Sequence, residues 1–203
     1  MKRWGVGLAV VAAAGLVLSG ALPADAAVDS SAKYVAVGTA STAQSSPAFA
    51  RRYFSCYPDY GCSASAVLPK SWRAIRLATF EYRFADRTAP RMIRVRVNLR
   101  GLSPAAAAKH KQAALKGTRG LKILSRKTTT TMKSANGQGP LTVTTLVYTY
   151  RSGSTTRWVA TRYVAQWGMS EANVELTVGG RSKDRAVLTK VLDKATTTIA
   201  LAG

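Results

Sequence analysis

Two alternating runs between Phe80 and Leu99 restrict what this chain can fold into more than any other feature. In the first run, Phe80 to Ala85, aromatic residues alternate with charged ones, and in the second, Ile93 to Leu99, aliphatic residues alternate mainly with arginines. Residues 86–90, between the runs, end in a proline. Period-2 alternation is typical of a strand with one buried face, so two such runs around a short turn predict a β-hairpin. One face of this hairpin needs an apolar partner layer, and the other face is cationic.

The cationic face of the hairpin carries the candidate binding residues. By alternation, Arg94, Arg96 and Arg100 lie on one side of the second strand, and Arg83 faces the same way from the first. Guanidinium groups bind phosphate and carboxylate through paired hydrogen bonds. We therefore expect these four arginines to engage an anionic ligand. The alternative is that they cover the sheet with their stems or pair with Glu81.

Helix signals follow the hairpin and recur at the end of the chain. Ser103 suits an N-cap and Pro104 the first helical position, which predicts a helix that runs to about Lys116. Ser182 is a candidate cap for a second, C-terminal helix. Five apolar residues form a stripe along that helix: Val187, Val191, Leu192, Ala195 and Ile199.

Four strand-like runs lie between these two helices. They are Leu121 to Met132, Leu141 to Tyr150, Arg157 to Trp167 and Asn173 to Val178, and Gly179-Gly180 is expected to end the last. In the third run large apolar residues occupy both faces, which is typical of a central strand. Short connections between strands favour antiparallel pairing, so the order predicts an α+β fold, a twisted antiparallel sheet packed with helices. We expect the following residues to be buried: Trp72, Val95, Val97, Trp158, Tyr163 and Leu192.

The segment Leu68-Pro69-Lys70-Ser71-Trp72 resembles the opening of PsbP-like domains, in which a hydrophobic residue and a proline precede a small residue and a tryptophan. The order of elements after it is also similar: a hairpin, a helix that begins at Ser-Pro, a long antiparallel meander and a closing helix. The meander contains Val147-Tyr148-Thr149-Tyr150 and Arg157-Trp158-Val159, and the closing helix contains residues 191–196.

This resemblance covers about residues 66–201 and implies a PsbP-like sandwich. In actinobacteria such domains occur as LpqN-type exported proteins. The resemblance implies a docking or small-ligand module without catalysis. The chain departs from this pattern in two respects. It has no lipobox cysteine, so the membrane tether of LpqN-type lipoproteins is not expected. Arg94, Arg96 and Arg100 leave one sheet face polar, so a complete three-layer sandwich is not expected there.

Residues 1–26 have the pattern of a secretory signal peptide. Lys2 and Arg3 precede an apolar run, Gly5 to Leu18, and Ala24-Asp25-Ala26 fits the cleavage rule. The apolar run is short for a membrane span. We therefore expect cleavage after Ala26, no transmembrane anchor in the mature chain, and a secreted or cell-wall-associated protein.

The mature chain is expected to begin with a flexible arm, residues 27–48, which is rich in alanine, serine and threonine. Residues 49–203 are expected to form a single domain. Its first part contains the two cysteines of the chain, Cys56 and Cys62. An even, local pair in an exported protein indicates a disulfide. Closing such a short loop stabilises the fold by about 2.4 kcal/mol.

The charge balance points to acidic partners. The chain has 30 lysines and arginines against 9 acidic residues, a net charge of +21. Loss of Lys2, Arg3 and Asp25 with the signal peptide leaves +20. Such an excess favours polyanions, which outside the cytoplasm means an anionic cell-wall polymer or an acidic envelope protein. The export signal and the absence of known nucleic-acid-binding motifs argue against nucleic acid.

Candidate catalytic residues are few. His110, the single histidine, lies between Lys109 and Lys111 with no acidic residue within ten positions, so it is expected to be a surface or half-buried residue of the helix. Glu171 and Glu175 are expected to be solvated. The sequence therefore predicts no catalytic residues, no metal site and no cofactor.

These observations predict a secreted, non-enzymatic binding module of the cell envelope. One alternative is a secreted hydrolase whose site is assembled from residues far apart in the chain. Another is a toxin that acts on anionic membranes. The first helix argues against a toxin, because its apolar side is mostly alanine and it is not a long amphipathic basic helix.

Overall fold

The computed structural model describes residues 47–57 and 61–201, which belong to one compact unit. The predicted signal peptide, nearly all of the predicted arm and residues 58–60 lie outside the described residues.

Ten strands and two α-helices are present in the described ranges. In chain order they are β1 (Phe49–Tyr57), β2 (Gly61–Pro69), β3 (Arg73–Ala78), β4 (Glu81–Ala85), β5 (Met92–Val97), α1 (Pro104–Ala114), β6 (Lys122–Met132), β7 (Leu141–Ser152), β8 (Thr155–Ala165), β9 (Val174–Arg181), α2 (Arg185–Thr198) and β10 (Ala200–Leu201). No helix in this part of the chain is long and apolar enough to cross a membrane.

The strands form two antiparallel sheets. Seven strands form the main sheet in the order β3-β4-β5-β9-β8-β7-β6, and β1, β2 and β10 form a smaller one in the order β1-β2-β10. Every pair of neighbouring strands is antiparallel. The predicted α+β fold with an antiparallel sheet is therefore confirmed.

The larger core lies on the face of the main sheet that α2 and the β1–β2 hairpin cover. Leu188, Val191 and Leu192 of α2 pack with Ile93 and Val95 of β5 in this core. The six residues expected to be buried are each no more than 5% exposed. The opposite face of the main sheet, called here the arginine face, carries Arg83, Arg94 and Arg96.

Helix α1 covers only part of the arginine face. Its small residues Ala107 and Ala108 pack against Tyr148 of β7 and Val159 of β8, in a core that also contains Leu146, Tyr163 and Ala172. The predicted start of this helix is confirmed, because the Ser103 hydroxyl accepts a hydrogen bond from the Ala106 amide at 3.2 Å. Since α1 contacts β6, β7 and β8, the side chains of β4 and β5 remain beside it.

The C-terminal end of β9 and the start of α2 differ from the prediction. Strand β9 continues through Gly179 and Gly180 to Arg181, whereas these glycines were expected to end it. The backbone of Gly180 passes so close to α2 that a Cβ there would lie 2.7 Å from Leu188 Cδ1. The predicted Ser182 cap is also wrong. The Ser182 hydroxyl donates to the Thr156 carbonyl, and the Asp184 carboxylate accepts from the Arg181 amide at 3.1 Å instead.

Candidate functional site

Strand β5 places two of the predicted arginines in the middle of the arginine face. Arg94 lies opposite Arg83 of β4 and opposite Thr177 of β9. Arg96 lies between Glu81 of β4 and Glu175 of β9 in the same registers. Antiparallel pairing puts directly opposed residues on one face, so these side chains share a surface.

Arg94 is engaged with two carboxylates. Its Nη2 donates to Glu175 Oε1 at 2.7 Å, and its Nη1 donates to Glu81 Oε1 at 3.4 Å. Burial acts to lower the pKa of the guanidinium, but the charge of Glu175 and the hydrogen bond to it raise that pKa above its ordinary value. Arg94 therefore neutralises the acids of the arginine face and is the least available of the four arginines.

Glu175 is buried, and the expectation that it is solvated is wrong. Its residue exposure is 4%, and it receives a hydrogen bond from the Thr177 hydroxyl as well as from Arg94. Lys111 of α1 brings its Nζ to 4.0 Å from Glu175 Oε1. Burial follows from the position of β9 between β5 and β8, which the sequence pattern does not reveal. Glu171, by contrast, is exposed and accepts from the Gly101 amide at 2.9 Å.

The other three arginines are exposed and make no ion pair within the described residues. Arg83 and Arg96 stand on β4 and β5, but the alternation predicted through Arg100 ends at Val97. Asn98 follows with a φ of 61°, so the chain leaves the strand there. Arg100 lies in the connection to α1, where its Nε donates to Asn98 Oδ1 at 3.3 Å.

A cavity of about 230 Å³, called here the cationic pocket, brings Arg96, Arg100 and His110 together beside α1. Its other lining residues are Leu99, Leu102, Ala107, Tyr163, Ala172 and Glu175. Glu175, the carboxylate among these lining residues, is already paired with Arg94. Two arginines therefore line this pocket without an acidic partner in the described part of the chain.

The tyrosines near the cationic pocket remain neutral. Burial, reinforced by the nearby Glu175 carboxylate, raises the pKa of the Tyr163 hydroxyl well above its usual range. Burial also raises the pKa of Tyr148 to about 12. At neutral pH these hydroxyls keep their protons, so they add no negative charge that would repel an anion.

A second cavity, of about 420 Å³ and called here the apolar pocket, shares Leu99 and Arg100 with the first. The remaining residues of its lining are Ser63, Phe80, Val97, Asn98, Trp167, Met169, Glu171, Asn173 and Leu201. Trp167 and Met169 are each 47% exposed. Trp167 was predicted to lie in a central strand, which is wrong because β8 ends at Ala165 and Trp167, two residues later, is exposed.

Two features distinguish the apolar pocket from an ordinary surface hollow. Asn98 and Trp167, with φ of 61° and 52°, are the non-glycine residues with positive φ in the described part of the chain, and both line this pocket. Asn173 Oδ1 is one of three buried side-chain polar atoms without a hydrogen-bond partner among the described residues and, of the three, the one at this pocket, although Asn173 Nδ2 donates to Gln166 Oε1 at 3.4 Å. Strained residues and unpaired buried polar atoms cluster at functional sites.

The fold has solved counterparts. LpqN of Mycobacterium tuberculosis, described as involved in cell envelope biogenesis, is 16% identical, with a TM-score of 0.51 over 76% of this chain and 92% of LpqN. The Ran-binding protein Mog1p of Saccharomyces cerevisiae is 9% identical, with a TM-score of 0.52 over 77% of this chain and 96% of Mog1p. The chain has the PsbP-like fold. At these identities the likeness concerns the fold alone, and no family model and no curated protein matches the sequence.

The PsbP-like sheet is accompanied by the β1–β2 hairpin, which the sequence patterns did not predict. Its register places Cys56 directly opposite Cys62 across the two strands. The side chains of both cysteines lie outside the described part of the structure, so the disulfide stays a prediction. Arg51-Arg52-Tyr53 in β1 has no apolar alternation, which is why no strand was predicted there.

Proposed function

We propose that this protein is an exported, non-enzymatic binding module of the cell envelope that captures an anionic cell-wall polymer through the cationic pocket. The observation that carries the proposal is the convergence of Arg96 and Arg100 on one cavity. Neither arginine is paired with an acidic residue in the described ranges, and Glu175, which lies inside the cavity, is already held by Arg94.

The chemistry of the pocket suits a phosphate or carboxylate group. Two guanidinium groups present several N–H donors to one anion, and hydrogen bonds between charged partners are about twice as strong as neutral ones. Ala107 of α1 is a small residue of the lining and leaves space for the anion between the helix and Arg96 of β5. Arg83, exposed on the neighbouring strand, is available to a further anionic group of the same polymer.

The envelope location is supported by the secretory pattern of residues 1–26 and by the charge of +20 expected for the mature chain. LpqN, whose fold is similar, is described as involved in cell envelope biogenesis. An acidic envelope protein would use the same arginines. We favour the polymer because a pocket that receives single anionic groups suits a chain that repeats them.

Co-sedimentation with an isolated cell-wall fraction at two salt concentrations tests this function. Binding should weaken strongly as salt rises, because exposed charges are screened within about 8 Å at physiological ionic strength. The double variant Arg96→Gln/Arg100→Gln should bind about tenfold or more weakly. The matched control Arg73→Gln/Arg76→Gln removes the same charge from the exposed strand β3 and should bind within about twofold of wild type. If both double variants lost affinity equally, binding would depend on general surface charge and not on the pocket, and the proposal would be overturned.

A secreted hydrolase is the second candidate, because His110 and Glu175 line the same cavity although they are far apart in the chain. A general base needs a free partner to orient it, and Glu175 is held by Arg94 and Thr177. The hydrolase would release soluble fragments from wall material, and His110→Ala would stop the release. The binding module should release none.

A further inference from the structure

The two cavities beside Arg100 adjoin, and their linings differ in chemistry. We propose that the ligand is a small amphiphilic anion, or the end of a polymer that has this character: a phosphate or carboxylate head occupies the cationic pocket, and an apolar body occupies the apolar pocket. This inference names the ligand class of the anion site and therefore rests on the proposed function. Leu99 and Arg100 belong to both linings, so one molecule can contact both pockets at once.

The size and composition of the apolar pocket fit an organic body. Its volume of about 420 Å³ lies within the range of about 300–1,000 Å³ found for small-molecule sites. Apolar side chains dominate its lining, namely Phe80, Val97, Leu99, Trp167, Met169 and Leu201. Trp167 and Met169 leave nearly half of their surface in water, and a bound apolar group would cover it.

The backbone around the apolar pocket is held in an unusual shape that positions Arg100. The left-handed conformation of Asn98 turns the chain away from β5, and the Asn98 side chain accepts a hydrogen bond from Arg100 Nε. The Leu99 amide donates to the Asn173 carbonyl at 3.2 Å, which attaches this turn to the β8–β9 connection. The Trp167 amide donates to the Gln138 carbonyl at 3.1 Å and fixes the other left-handed residue. Such strain persists where the surrounding structure imposes it, which is frequent at ligand sites.

The charges separate the two halves of the site. Arg96 and His110 line the cationic pocket alone, whereas Trp167 and Met169 line the apolar pocket alone. Glu171 is at the apolar pocket but is engaged by the Gly101 amide. An anionic head is therefore favoured at one end, and an uncharged, water-avoiding group is favoured at the other.

Titration calorimetry with three soluble probes tests the ligand class on the mature protein. Octyl phosphate carries both parts, inorganic phosphate carries the head, and octanol carries the tail, each used below the concentration at which octyl phosphate forms micelles. Octyl phosphate should bind about tenfold or more tightly than inorganic phosphate, because burial of even two methylene groups is worth that factor. It should also bind more tightly than octanol, because the octanol hydroxyl cannot form charge-assisted hydrogen bonds with both partners ionised.

Substitutions in each pocket test which pocket binds the head of the ligand and which binds the tail. Arg96→Gln should weaken both octyl phosphate and inorganic phosphate. Met169→Ser should weaken octyl phosphate about threefold or more and leave inorganic phosphate unchanged. Leu124→Ser, which removes an equally exposed apolar side chain from β6, is the matched control and should change neither.

The outcomes separate this inference from the function on which it rests. If octyl phosphate binds no better than inorganic phosphate while wall binding still requires Arg96 and Arg100, the amphiphile is wrong and the proposed function stands. If octanol binds as well as octyl phosphate, the joint site is wrong. If neither phosphate compound binds and the arginine variants sediment like wild type, both proposals are overturned.

Discussion

Arg94 and Arg96 are two residues apart on one strand and face the same way, yet their surroundings differ. Arg94 contacts Glu81 and Glu175, whereas Arg96 makes no ion pair in the described structure. Register alone does not explain the difference, because Glu81 and Glu175 lie directly opposite Arg96, yet both carboxylates contact the diagonal neighbour Arg94. Alternation in the sequence predicts the shared face but not these partners.

We expect Arg94→Gln to lower the free energy of unfolding by about 1–3 kcal/mol. Glu175 would remain buried with a weaker set of partners, and an unsatisfied buried charge is costly. Arg96→Gln, two residues away on the same face, should change stability by less than about 0.5 kcal/mol. Urea unfolding of the two variants measures the difference. Similar values for both would contradict the structural role assigned to Arg94.

Residue-level prediction worked for the apolar residues of the core and failed for Glu175 and Trp167, which line the two pockets. Val95 and Val97 are buried as expected because a period-2 pattern reports directly which face meets the core. Trp158 is buried as expected because its run carries apolar residues on both faces, which is typical of a central strand. Glu175 is buried because of the strands beside it, and Trp167 is exposed because β8 stops before it. Both outcomes depend on parts of the chain far from these two residues, so the sequence around Glu175 and Trp167 does not predict them.

Among the elements, the β4–β5 hairpin and α1 were predicted correctly because each has a local signal. Alternation marks the hairpin, and Ser103-Pro104 marks the start of α1. The β1–β2 hairpin has no such signal. Its strands carry arginines and small residues, and large apolar residues do not alternate regularly with polar ones there. Strand β9 extends beyond its glycines because pairing with β8 continues to Arg181.

The β1–β2 hairpin supports the predicted disulfide at the level of the backbone. Directly opposed residues of antiparallel strands have Cα atoms about 4.5–5.5 Å apart, within the range that a disulfide needs. We expect Cys56 and Cys62 of the secreted protein to resist alkylation until a reductant is added. The intact mass should rise by two hydrogens on reduction, and Cys56→Ser/Cys62→Ser should unfold with about 2.4 kcal/mol less free energy. Alkylation of the unreduced native protein would contradict the bond.

For the whole molecule, the order of elements was enough to predict the PsbP-like fold, but it was not enough to predict the pockets. The apolar pocket combines Ser63, Phe80, the Val97–Arg100 turn, the β8–β9 connection and Leu201. These segments are far apart in the chain and meet at one end of the sheet. These segments come together because of the order of the strands in the sheet, and alternation in the sequence does not predict that order.

The proposed function in the cell envelope also depends on export of the protein. We expect the secreted protein to begin at Ala27, because Ala24-Asp25-Ala26 satisfies the small-residue cleavage rule after a short apolar run. N-terminal sequencing of protein recovered from the culture medium measures this. Retention in the cells with Met1 or Lys2 as the first residue would remove the basis for an envelope partner.

Because Arg100 forms part of both cavities, ligand binding in one would be linked to ligand binding in the other. An inorganic anion that occupied the cationic pocket alone would hold the guanidinium of Arg100 and so would change the affinity of the apolar pocket. Linkage makes this influence equal in both directions. The phosphate content of the surroundings would then set how readily the protein takes up or releases an apolar group. In this way one shared side chain would make ligand uptake by a small domain depend on the ionic state of the medium.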